Sequence, residues 1–169
     1  DLPATLLEFF GVGIPKDMIG MPLRDVISED RSIREFALFG IFGGHVNITD
    51  GRYVYMRAAS DGRANKPLFH YTQMPTHIDS LFSVEEMKTM TQHPGFSFTK
   101  NTPVMKIDAS LKEWWWEDFE TMLFDLQVDP AQKTPLADPK VEKQMIDGMI
   151  ELMKSNDAPS EQFERLGFL

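Results

Sequence analysis

The sequence predicts an α+β fold, a small antiparallel β-sheet with packed helices. Three observations predict it. Two β-prone runs meet at Asp50-Gly51, an alternating aromatic run covers residues 68–73, and Asp138-Pro139 opens a long amphipathic stretch in the last third of the chain. A length of 169 residues is enough to bury a core without disulfides, and 42% hydrophobic with 25% charged residues excludes a disordered or fibrous chain. The net charge of -9 argues against binding to a nucleic-acid backbone, which demands an excess of Lys and Arg. No apolar run approaches the length that spans a bilayer. With no cysteine, neither disulfides nor thiolate chemistry is available to this segment, and the compartment stays open.

Taken in order, Asp1 can cap a first helix in which Pro3 suits the opening turn and Leu2, Leu6, Phe9 and Phe10 share a face, until Gly11 stops it. A loop with Gly13, Pro15 and Gly20 leads to a short helical stretch at Leu23, Val26 and Ile27, and a charged link closes a first region, residues 1–35. Residues 36–169 then form the sheet and its helices. A strand over 37–41 bends at Gly43-Gly44 into a hairpin. There Asp50-Gly51 favours a two-residue turn of positive φ, and Ile48 is expected to face Tyr53, with Val46 facing Tyr55. His45, Asn47, Val54 and Met56 fall on the opposite side. Ser83 and Glu86 fit a capping box that opens a helix running to about Thr91, ended by His93-Pro94-Gly95. Further strands are expected over 104–107 and 121–126. The long helix after Asp138-Pro139 lines up Val141, Met145, Met149 and Leu152, and a last short helix follows Asp157 and Pro159.

The chemistry-bearing residues are sparse. No serine stands in a Gly-x-Ser-x-Gly setting, and His45, His70, His77 and His93 have no His-Glu-x-x-His spacing; His77-Ile78-Asp79 is the best fragment of a metal site. The adjacent acids Glu85-Glu86 and Glu117-Asp118 cannot hold two carboxylates across a substrate, so capping and solvation explain them better. Trp114, Trp115 and Trp116 could stack on sugar rings, although consecutive residues point different ways. His45 follows two glycines at the start of a hairpin strand, where a side chain can project past a sheet edge. It is the candidate substrate-binding residue, set against a half-buried histidine bonded to a neighbour.

Several stretches together resemble one family. Asp1-Leu2-Pro3-Ala4-Thr5-Leu6-Leu7, then Gly11, Pro15 and Asp17-Met18-Ile19-Gly20-Met21-Pro22-Leu23, resemble the Asp-Leu-x-Pro-Thr-Leu stretch late in the catalytic domain of sulfatases, with Pro3 one residue early. Asp50-Gly51-Arg52-Tyr53-Val54-Tyr55 resembles that family's Asp-Gly-Arg-Tyr-Lys-Tyr hairpin. Leu123-Phe124-Asp125-Leu126 with Asp129-Pro130 resembles its Leu-Tyr-Asp-Leu-x-x-Asp-Pro signature. The resemblance, to arylsulfatase-like members of the alkaline phosphatase superfamily, implies that residues 1–35 are the tail of a catalytic domain and 36–169 the carboxy-terminal subdomain. It implies a sulfuric ester hydrolase as parent, with Ca2+ and a formylglycine made in a Cys/Ser-x-Pro-x-Arg motif upstream of Asp1 or in an adjacent segment. This segment is expected to hold no cofactor, no metal ligand and no catalytic residue. Its partners would be the upstream catalytic domain and, in the parent, a sulfate ester near Phe42-Gly43-Gly44-His45. A related phosphoester or phosphonate hydrolase, or an independent carbohydrate-binding or interaction module, is the alternative.

Overall fold

The computed structural model describes residues 1–109 and 120–169, leaving aside the side chain of Arg63. The chain forms two compact units, Asp1–Glu35 and Phe36–Leu169. The elements are α1 (Leu2–Phe9), α2 (Arg24–Glu29), β1 (Ala37–Gly40), β2 (Val46–Thr49), β3 (Tyr53–Arg57), β4 (Phe69–Thr72), α3 (Val84–Lys88), β5 (Thr91–His93), β6 (Val104–Asp108), β7 (Met122–Asp125), α4 (Pro139–Ser155) and α5 (Ser160–Arg165). This is an α+β fold. The strands make two antiparallel sheets, ordered β1-β2-β3-β7 and β4-β6-β5.

In the first unit Asp1 occupies the N-cap position of α1, yet its carboxylate bonds no helix amide. An N-cap side chain normally accepts from the second or third helical N–H, and Pro3 has removed the first of these. Asp1 Oδ1 instead accepts from Met21 N at 2.9 Å and from the Arg34 guanidinium. Thr5 Oγ1 accepts from Leu23 N at 3.0 Å. A Cβ on Gly20 would lie 3.1 Å from Asp1 N, so the glycine permits this close approach. Leu2, Leu6, Phe9 and Phe10 are all more than half exposed.

The second unit is built around the hairpin, whose register differs from the sequence expectation. Ile48 faces Tyr55 rather than Tyr53, and Thr49 pairs with Val54, leaving residues 50–53 as the loop. The cause is the Asp50 carboxylate. Its Oδ1 accepts from both Arg52 N (2.9 Å) and Tyr53 N (2.7 Å), while Thr49 Oγ1 accepts from Gly51 N, so side chains satisfy the amides that a tight turn would have paired. A slip of two residues leaves every side chain on its expected face. Ile48 and Tyr55 therefore still enter the core, with Leu123 of β7 beside them.

Helix α4 covers that face. Asp138 accepts from Lys140 N and Val141 N, Pro139 occupies the first turn where no N–H is needed, and Met145, Met149 and Met153 point inward. Phe36 lies on α4 at Gly148, where a Cβ would stand 2.9 Å from the ring. Leu166, just after α5, closes the same cluster.

The helix expected from Ser83 to Thr91 is cut short. The capping box forms as predicted, but α3 ends at Lys88 and residues 91–93 become β5, paired with β6. Thr89 explains the change: its hydroxyl donates to Glu86 O and accepts from Asp108 N at 2.9 Å, fastening the helix end to β6 and turning the chain into the sheet. The second sheet thus lies within a long excursion between β3 and β7. Ala58 N, at its start, donates to Thr121 Oγ1 at its end, 3.2 Å away.

Candidate functional site

The bend between β1 and β2 carries the predicted binding residue. Gly44 N donates to Ile41 O at 3.1 Å, and Gly43 takes φ +77°, a conformation this kind of turn requires at its third position. A Cβ on Gly44 would meet Ile41 Cγ1 at 2.9 Å. The turn returns His45 to the sheet instead of letting it project beyond the edge. Its ring is 7% exposed, and Nε2 donates to the Glu120 carbonyl at 2.9 Å. The exposed side chains of the bend are Ile41 and, about half exposed, Phe42. Asn47, on the same face as His45, is buried too, with Oδ1 unbonded among the described residues.

Sequence reasoning missed Arg165, which locks this bend. Its guanidinium, 3% exposed, donates to Asn65 Oδ1 (2.7 Å), Gln162 Oε1 (3.0 Å) and more weakly to Gly44 O (3.4 Å), while Asn65 Nδ2 donates to Gly43 O at 2.7 Å. Burial presses the Arg165 pKa down, and the charge of Asp61 offsets only part of that. The only advance signal was an arginine in the last turn of an otherwise short helix.

Two of the stretches that carry the family resemblance meet in the first sheet. Tyr53 pairs with Asp125 across β3 and β7, and Arg52 forks onto the Asp125 carboxylate, with Nη2 to Oδ2 at 2.7 Å and Nε at 3.2 Å. The hydrogen bond from Arg52 holds the Asp125 carboxyl below the usual range. Asp125 also accepts from Gln127 N, starting the turn toward Asp129, whose Oδ2 accepts from Lys133 N and Thr134 N. Arg guanidinium and carboxylate fit bidentately, which fixes orientation as well as proximity.

In the second sheet, three groups able to bind a metal converge. His70 on β4, His77 in the following loop and Glu86 on α3 each present a ligand atom, and all three atoms lie within 4.8 Å of one another. His77 Nε2 stands 2.9 Å from Glu86 Oε1, and Glu86 Oε2 accepts from Ser83 N at 2.7 Å. Burial raises the Glu86 pKa, but the bonds from Ser83 and His77 outweigh it and hold the carboxyl low. The ring of Phe42 stacks on His70 at 4.6 Å and 18°, so the bend abuts this cluster. Asp79, the acid of the His77-Ile78-Asp79 fragment, accepts from Ser80 Oγ instead.

The second sheet is tied to α5 by Glu161, which accepts from the Tyr71 hydroxyl and from Lys106 Nζ at 2.6 Å. Burial pushes the Glu161 pKa up, yet those two partners hold it below the ordinary value; burial and Glu161 together raise that of Tyr71. Asp157 is lowered by its bonds from Ser97. A carboxyl whose folded pKa is depressed stabilises the fold fully above its unfolded pKa, and that contribution is lost as pH falls through the folded value. Urea midpoints are therefore expected to fall between about pH 6 and about pH 3. Glu161→Gln should flatten that slope, whereas an unchanged slope would refute the role of Glu161.

An open groove of about 560 Å³ lies near His93, Phe96, Lys154, Asp157 and Phe163, beyond these clusters. Trp114, Trp115 and Trp116, and the acids Glu117 and Asp118, lie outside the described residues. No helix among the described residues is long and apolar enough to cross a membrane. No family model matches the chain, and no curated protein matches it.

Proposed function

We propose that this chain is the noncatalytic carboxy-terminal part of a sulfatase-type hydrolase, which packs against the catalytic domain of its parent and borders the substrate pocket with the bend at residues 42–45. The observation that carries the reading is the Arg52–Asp125 fork, with bonds at 2.7 and 3.2 Å. The residues that resemble the family's hairpin and its Leu-Tyr-Asp-Leu signature are, through it, partners in one sheet. The first resembling stretch has a comparable logic, since Asp1 and Thr5 bond Met21 and Leu23 within it. The exposed face of α1, with Leu2, Leu6, Phe9 and Phe10, is the kind of apolar surface that a larger domain covers.

The chemistry of the parent does not fit the residues of this chain. No cysteine is present, and no serine has proline two positions on, so a formylglycine has no precursor here. The one cluster of metal-binding groups among the described residues has two imidazoles and one carboxylate, whereas Ca2+ takes six or more oxygen ligands. On this reading the chain contributes shape to the pocket of its parent. His45, bonded to Glu120, acts as a positioning residue for the bend, and Ile41 and Phe42 are the side chains presented outward.

The test uses the intact gene product. Hydrolysis of aryl sulfates is expected, with a Cys/Ser-x-Pro-x-Arg motif upstream. His45→Ala is expected to change KM or the ranking of sulfate esters by roughly three- to tenfold, the scale of losing about 1 kcal/mol of positioning, with the calcium content unchanged. Unaltered kinetics across several esters would remove the bend from the pocket. Absence of the upstream motif would remove the sulfatase reading and leave a binding module.

A further inference from the structure

We infer that His70, His77 and Glu86 form a binding site for Zn2+, which clips β4, the loop after it and α3 together. The site rests on no part of the family resemblance. Its three ligand atoms lie within 4.8 Å of one another although the residues come from three separate segments. Zinc bonds imidazole nitrogen and carboxylate oxygen at about 2.0–2.2 Å in a tetrahedron, which sets its ligand atoms roughly 3.3 Å apart. Binding therefore requires the three side chains to close by up to about 1.5 Å.

The surroundings orient the three groups as a metal site needs. Glu86 is fixed by the capping box, in which Oε2 accepts from Ser83 N and Ser83 Oγ accepts from Glu86 N, so Oε1 is the oxygen turned toward His77. Conserving ligand orientation through a second hydrogen bond is how carboxylate ligands are held in place. His70 is clamped between rings: Phe42 stacks on it at 4.6 Å, and Phe82 meets it edge-on at 5.5 Å. Phe82 also lies 4.1 Å from the His77 ring. The loop carrying His77 is closed on itself by a bridge between Thr76 and Leu81. These rings form an apolar shell on one side, and the His77 and Glu86 side chains retain 14% and 12% exposure, sufficient for water to complete the tetrahedron.

Two imidazoles and one carboxylate select zinc-class ions over Ca2+ or Mg2+, which prefer oxygen alone. The same donor set serves three-ligand zinc sites that keep a position for water.

The test is zinc retention by the intact gene product after chelator stripping, reloading with Zn2+ and dialysis. Wild type is expected to retain about one zinc per chain more than His70→Ala or His77→Ala, and Co2+ in its place should give the visible absorption of a tetrahedral site. Glu86→Gln decides the matter if the histidine variants fail to fold. Glutamine can still complete a capping box, so the helix start survives, while loss of the anionic ligand should weaken zinc roughly tenfold or more. His93→Ala, outside the cluster, should retain zinc as wild type does. Equal zinc retention by wild type and folded Glu86→Gln, or by wild type and the folded His70→Ala/His77→Ala double variant, would overturn the site.

Discussion

Arg165→Ala is expected to destabilise the second unit by about 3 kcal/mol or more, read as a lower urea midpoint at unchanged slope. Arg165 is 3% exposed and serves Asn65, Gln162 and Gly44 at once, so its removal leaves the buried Gly44 carbonyl and the half-buried oxygens of Asn65 and Gln162 without their donor. A buried orphan costs about 1–3 kcal/mol, half-buried ones less, and the lost stem adds a cavity. Arg165→Met separates the two effects, because it keeps most of the volume and none of the donors. A loss for Met close to that for Ala would assign the cost to hydrogen bonding. A loss below about 1 kcal/mol in both variants would mean that the network is not coupled to global unfolding. Because Asn65 holds Gly43, the same variant should loosen the bend and speed amide exchange at Gly44, whose N–H bonds Ile41 O.

Ile48→Ala is expected to cost about 2–5 kcal/mol, and Ile48→Val only about 0.5–1.5 kcal/mol. Ile48 is fully buried on a central strand, opposite Tyr55 and beneath the methionine face of α4. The methionines make the magnitude informative. Met145, Met149 and Met153 are unbranched and can lean into a void, which would bring the cost toward the low end of the range. A value near the top would mean that the tyrosine and the helix hold the cavity open. Equilibrium unfolding of the two variants measures both, and a cost under about 1 kcal/mol for alanine would deny Ile48 its place in the centre of the core.

The faces of the strands were legible in the sequence because alternation has a period of two, and a register slip of two preserves it. The register itself was not. Asp-Gly favours a tight turn, but the Asp50 carboxylate bonds the amides of Arg52 and Tyr53 and widens the loop. The start of α3 was legible from Ser83 and Glu86, whereas its end was decided by Thr89 bonding an amide of β6, a contact across nineteen residues of sequence. Likewise His70, His77 and Glu86 match no short spacing and become a cluster only when the sheet, its loop and the helix are assembled. His45 was read correctly as lying beside a glycine bend, but the turn's direction, set by Gly43 at φ +77°, determines that the ring goes inward.

Ala58 and Thr121 meet where the chain leaves the first sheet and where it returns to it. The second sheet is thus an insertion, tethered a second time by α5 through Glu161 to Tyr71 and Lys106 and through Arg165 to Asn65. The pairing of β3 with β7 does not depend on the length of chain between them, so that chain can grow or shorten wherever it touches neither the neck nor the tethers. Variation among chains of this architecture would then concentrate in the loops between those fixed points, while Asn65, Tyr71 and Lys106 stay constant together with the first sheet and α4.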